Sequence, residues 1–201
     1  MSLQGRPQTR KRWSRLSVVS VALALGVGLA LAAGLAGNSR AQSPDKSGRV
    51  EAYAWDLPAW AKPPPAPAND PVTPEKVELG RRLFYDGQLA ADGLRSCASC
   101  HKQELGFSDN LALSWGVTGQ LTSRNAPSLA NVGYLSVLTW RDPRVTSLET
   151  QALGPMFGLQ PIEMGMAGQQ AEMTRRVSED SLYRELFAKA FPGVRDPVSI
   201  D

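Results

Sequence analysis

Both cysteines and the single histidine of this 201-residue chain stand together, as Cys97-Ala98-Ser99-Cys100-His101. Any fold must therefore bring two thiols and one imidazole to one spot. The C-x-x-C-H spacing is that of covalent haem attachment. Two thiols at this spacing add to the two vinyl groups of the porphyrin as thioethers, and the next imidazole comes under the iron as its fifth ligand. Cys97 and Cys100 are thus expected to hold one haem c, with His101 on the iron. Three plainer readings compete. A zinc site would need a carboxylate or water as fourth ligand, since no further Cys or His exists. A thioredoxin-like pair expects a βαβ setting, which the sequence lacks. A structural disulfide leaves His101 without a purpose.

The charge balance narrows the class. The first forty-one residues hold six of the 22 basic residues and no acidic one. Without them 16 basic residues face 19 acidic ones, and the formal charge goes from +3 to −3. The basicity therefore belongs to the leader, and no nucleic-acid partner is expected. That leader has a basic start to Arg15, an uncharged apolar run Leu16–Ala36, and small residues Ser39-Arg40-Ala41 at a candidate cleavage site. Residues 1–41 read as a signal peptide, the alternative being an uncleaved membrane anchor, since about 20 apolar residues suffice to span a bilayer. Either way the remainder is placed outside the cytoplasm, in the periplasm.

Residues 42–72 read as a Pro-rich extended arm, because Pro63, Pro64, Pro65 and Pro67 fix φ and remove donors. Tyr53, Trp55 and Trp60 are expected to pack this arm onto the domain. The folded domain, 73–201, opens at Thr73-Pro74-Glu75, which has the chemistry of a helix start. Val77, Gly80, Leu83 and Phe84 follow at helical spacing, and Asp86-Gly87 ends the helix. Further helices are expected from Ser147 to Pro155, over Gly168–Val177, and over Ser181–Ala190 with Leu182, Leu186 and Ala190 on one side. No strand pattern appears. The fold class is mainly α, a cytochrome c-like haem domain with long irregular loops. The last residues, Asp196–Asp201, read as the lead-in to another helix, and a truncated or split protein is expected.

The order of motifs is more specific than C-x-x-C-H alone. Leu79-Gly80-Arg81-Arg82-Leu83-Phe84-Tyr85-Asp86 precedes it, and Phe107-Ser108-Asp109 and Arg124-Asn125-Ala126-Pro127-Ser128-Leu129 follow. Then come Trp140, Gln151-Ala152-Leu153-Gly154-Pro155 and Pro161-Ile162-Glu163-Met164-Gly165. This succession resembles the amino-terminal haem domain of bacterial di-haem cytochrome c peroxidases, and Trp55-Asp56-Leu57-Pro58 is most similar to their MauG-like and MbnH-like branch.

The resemblance implies an oxidoreductase whose amino-terminal haem reacts with hydrogen peroxide. It makes Glu163 the distal acid-base carboxylate, Gln151 its polar neighbour, and Trp140 an electron relay between haems. Asn125 matches a calcium ligand. Many family members carry a blocking His in the loop that is here Gly119–Ser123, and its lack implies an open sixth iron position. The family's second haem has no motif in this chain, so peroxidase-type turnover is expected only with a second-haem chain and an electron-donor protein or protein substrate. Two other functions compete: an electron carrier with Met156, Met164, Met166 or Met173 as sixth ligand, and a non-catalytic haem-binding fragment.

Overall fold

The computed structural model describes residues 51–139 and 142–199. The signal segment, the first part of the arm and Trp140 lie outside the described residues. Among the described residues the regular structure is helical, with four α-helices, four short 3-10 turns that all lie between the first and second helix, and two isolated antiparallel bridges.

Helix α1, Pro74–Tyr85, starts as its sequence dictates: Thr73, only 2% exposed, accepts from Lys76 N at 3.2 Å and Pro74 occupies the first position. Its buried ridge is Leu79, with Leu83 packed beside it one turn on; Gly80 is exposed. Asp86 closes the helix through its N–H to Leu83 O, and its Oδ1 accepts from Gln88 N at 2.8 Å, which starts the 3-10 turn Gly87–Leu89.

Helix α2, Leu148–Phe157, begins at the expected Ser147 cap but does not stop at Pro155. The reason is tertiary. Beyond the proline, the carbonyls of Pro155 and Met156 accept from Met164 N and Met166 N, both at 3.0 Å, so the last turn is stitched to a later loop.

Helices α3, Gln170–Glu179, and α4, Ser181–Ala190, follow with a single residue between them. Helix α4 packs on α1 and on α3. Its inner face is Tyr183, Leu186, Phe187 and Ala190, whereas Leu182 is exposed, contrary to the sequence expectation. Leu79, Leu89, Met164, Met166, Met173, Val177 and Tyr183 make the centre of the core.

The arm is held differently from the expectation. Trp60 is 86% exposed, because the turn closed by Ala61 N to Pro58 O directs it outward. Tyr53 N instead bonds Val72 O, the Tyr134 hydroxyl donates to Lys62 O at 2.6 Å, and Pro64 lies against Gly133.

Candidate active site

The cysteine motif begins a tight 3-10 turn, Cys97–Ser99, fixed by Ser96 N donating to Ser99 Oγ at 3.0 Å. His101 N reaches back to Cys97 O at 2.9 Å, which keeps His101 on the same turn as the two cysteines. Both cysteines are unbridged and half-buried. Burial raises both thiols above their ordinary range; at Cys100 the Arg95 guanidinium opposes this, while Asp109 and Glu163 add to it. Cys97 also packs against the helical core.

His101 Nδ1 faces Phe107 O at 2.9 Å. A carbonyl only accepts, so the proton belongs on Nδ1 and the Nε2 lone pair is left for a metal. The carbonyl is aimed by unusual backbone. Gly106 and Phe107 are both left-handed, at φ 65° and 60°, a conformation costing a non-glycine residue about 1–2 kcal/mol. Phe107 N to Lys102 O and Lys102 N to Ser108 O close this loop on itself. The Arg124–Ser128 segment then clasps it, Ser108 Oγ donating to Ala126 O at 2.8 Å and Ser128 Oγ to Gly106 O at 2.5 Å. Sequence reasoning missed the part played by Phe107; Gly106 was the available hint.

Glu163 sits on the loop that α2 is stitched to. Its carbonyl accepts from Val117 N at 2.8 Å, the following N–H goes to Pro155 O, and Met164 O accepts from Ala91 N at 2.9 Å. Three separate stretches of main chain thus hold it. Gly116 and Gly165 permit the close approach. A Cβ on Gly116 would stand 1.9 Å from Ile162 O, and one on Gly165, at φ 74°, would meet Val117 and Ala91. The Glu163 carboxyl is half-buried, and burial lifts it above the ordinary carboxylate range against the pull of His101. Its charge is felt at Cys100, and it feels that of His101.

Arg176 was not singled out by the sequence. Its Nη1 donates to Gln88 O and Ala90 O at 3.0 and 2.9 Å, and its Nε pairs with Glu172 at 2.8 Å. Because Ala91 bonds Met164, this α3 arginine fixes the strip that supports the Glu163 loop.

The other candidates fall as follows. Gln151 is half-buried on α2, one turn before Pro155 on the same helix face. Asn125 is exposed, its amide reaching Ala126 O at 3.5 Å. Met164, Met166 and Met173 are buried in the core and Met156 packs against it. Among the described residues no group of three His, Cys, Asp or Glu side chains could hold a metal ion, which leaves the zinc reading unsupported.

The residues fit a covalently held haem. They offer two free thiols and an imidazole with Nε2 uncommitted. Helix α2 has no buried residue, and Leu94, Leu111, Leu113, Trp115 and Leu121, flanking the motif in sequence, are exposed. These apolar side chains are left uncovered by the protein core, as suits a fold that holds a large apolar group.

Comparison with known proteins agrees. A sequence model of the family described as di-haem cytochrome c peroxidase matches residues 74–201. The chain belongs to that family. It is 37% identical to the methylamine utilization protein MauG of Methylorubrum extorquens over 134 residues, 67% of this chain and 36% of that protein. It is 36% identical to the cytochrome c551 peroxidase of Nitrosomonas europaea, over 67% of this chain and 41% of that one. Among solved structures, a MauG-like protein associated with microbial copper homeostasis is 48% identical with a TM-score of 0.70, over 74% of this chain and 43% of that chain. The chain thus spans about two fifths of the length of these family members.

Proposed function

We propose that this chain is the peroxide-reactive haem domain of an exported peroxidase of the MauG-like kind. One observation carries the reading most: a half-buried carboxyl, Glu163, stands on a loop held by main-chain bonds, feels the charge of His101, and is raised by burial above the usual range. Haem c, when bound, supplies an iron that ligates peroxide and exchanges electrons with it. Cys97 and Cys100 would hold it as thioethers and His101 Nε2 would ligate the iron, its donor strength set by the Phe107 carbonyl. Glu163 takes the proton from one peroxide oxygen and gives it to the leaving oxygen. A carboxyl lifted toward working pH suits both halves of that transfer. Gln151 orients the peroxide. Trp140 is the proposed electron relay and Asn125 a candidate calcium ligand. Electrons come from a second haem domain, an electron-donor protein or an oxidisable protein substrate, outside the cytoplasm.

Packing disfavours the Met-ligated carrier, because three of its four candidate methionines are buried in the helical core and the fourth packs against it. The test is Glu163→Gln in the haem-loaded chain. Loss of a positioned acid-base group should slow the Soret change on mixing with peroxide by roughly 10²–10⁴-fold, with haem content unchanged. Glu75→Gln, on an exposed residue of α1, is the control. Equal rates in the two variants would overturn the reading.

A further inference from the structure

We propose that Tyr183 and Asp86 form a redox-active pair, a buried phenol able to release an electron while its proton passes to the carboxylate beside it. This rests on the reading of the chain as a peroxide-reactive haem domain.

Tyr183, on α4, is 4% exposed, and its hydroxyl donates to Asp86 Oδ2 at 2.6 Å. The other oxygen of Asp86 accepts from Gln88 N at 2.8 Å, so the carboxylate is oriented as well as close. Burial, and then Asp86, push the Tyr183 phenol well above its ordinary range. It therefore stays protonated at working pH, and oxidation requires the proton to leave with the electron. The chain has four tyrosines. Tyr134 donates to the Lys62 carbonyl and Tyr85 to Gln103 Oε1, both on exposed rings. Amide oxygens accept hydrogen bonds but do not take up a proton near neutral pH. Tyr53 lies in the arm, half-buried against Trp55. Tyr183 is the tyrosine that joins burial to a proton acceptor, and Cys97 packs against the same core cluster.

The balance closes. Cleaving the O–O bond of hydrogen peroxide takes two electrons. One is the iron's, and the second leaves the Tyr183 phenol, whose proton moves to Asp86 Oδ2. The products on the protein are a neutral tyrosyl radical and a protonated Asp86, both returned to rest by one electron from the donor partner and transfer of the same proton back, and a second donor electron would replace the one the haem gives.

Were the contact merely a tie between α4 and the end of α1, its loss would change stability and nothing else. Rapid-freeze electron paramagnetic resonance of the haem-loaded chain after peroxide should show a tyrosyl signal that Tyr183→Phe abolishes. Asp86→Asn keeps an oxygen for Gln88 N but cannot take the proton, and should slow radical formation roughly 10²-fold, as loss of a positioned base does. A tyrosyl signal undiminished in Tyr183→Phe, or wild-type kinetics in Asp86→Asn, would overturn the pair. A second arm applies a flash-generated ruthenium(III) one-electron oxidant to the same chains without peroxide. A Tyr183 radical there, with no reaction of peroxide, would sink the peroxidase reading and leave the pair standing. No Tyr183 radical there would overturn the pair itself.

Discussion

The loop that orients His101 and the loop that carries Glu163 differ in how far along the chain their bonds reach. Between Lys102 and Ser108 the main chain closes on itself, and left-handed Gly106 and Phe107 make the bend. Glu163 has no such local closure. Its place is fixed by Val117, Pro155 and Ala91, the first and last tens of residues away in sequence. One loop could keep its shape in a partly folded chain, whereas the other exists only once the domain has packed. The ligand side of such a site is therefore robust and the acid-base side fragile.

The strongest way to break that contrast is Gly116→Ala. The new Cβ meets the Ile162 carbonyl, which cannot swing aside as a side chain would. A loss of about 3 kcal/mol is expected, the upper end for overpacking, with peroxide reactivity falling alongside. Urea unfolding of the haem-loaded chain and stopped-flow mixing measure the two. Unchanged values would show that the Glu163 loop is not seated against Gly116.

Next in size is Arg176→Ala, which strips two carbonyls of their donor and should cost about 2 kcal/mol. It should slow the peroxide reaction while the spectrum of the imidazole-ligated iron stays as in wild type. If the imidazole spectrum moved and the peroxide rate did not, the two sides would be linked in a way the contrast denies. Smaller again is Ser128→Ala, which removes one clasp from the His101 loop for about 1 kcal/mol. A weaker hold on the Phe107 carbonyl lowers the basicity of His101, so the reduction potential should rise slightly by redox titration.

The smallest effect concerns stability against pH. Burial raises the Glu163 carboxyl from its ordinary 4.5, so the folded chain keeps that proton to higher pH than the unfolded chain. Stability from this group therefore falls as pH rises from 4.5 through the raised value, and stays lower above it. Glu163→Gln should match wild type below 4.5 and be the more stable protein at neutral pH, by chemical denaturation. The reverse order would mean the fold stabilises the anion.

The same division separates what was legible in the sequence. The haem motif, the Thr73-Pro74-Glu75 start of α1 and the limits of α4 are local chemistry, and each follows from spacing, capping or periodicity. The run of α2 past Pro155 was not legible, because it depends on bonds from Met164 and Met166. Trp60 was misplaced for a related reason: aromatic character says that a residue can pack, while a turn decides whether it does. Arg176 had no signal at all, since on sequence it is one more charge of an exposed helix. Glu163 was reached through family resemblance, as nothing in its immediate neighbours marks a loop carboxylate as buried.

The three bonds that hold Glu163 and Met164 join main chain to main chain, and this shapes how such a site ages. Substitutions at Ala91, Val117 or Met164 leave the bonding atoms in place, because each residue type brings the same amide. Selection acting here sees bulk before chemical identity: it must keep Gly116 and Gly165 small, and can let much of the surrounding alphabet drift. A lineage could thus exchange most of the residues around Glu163 and still inherit its position.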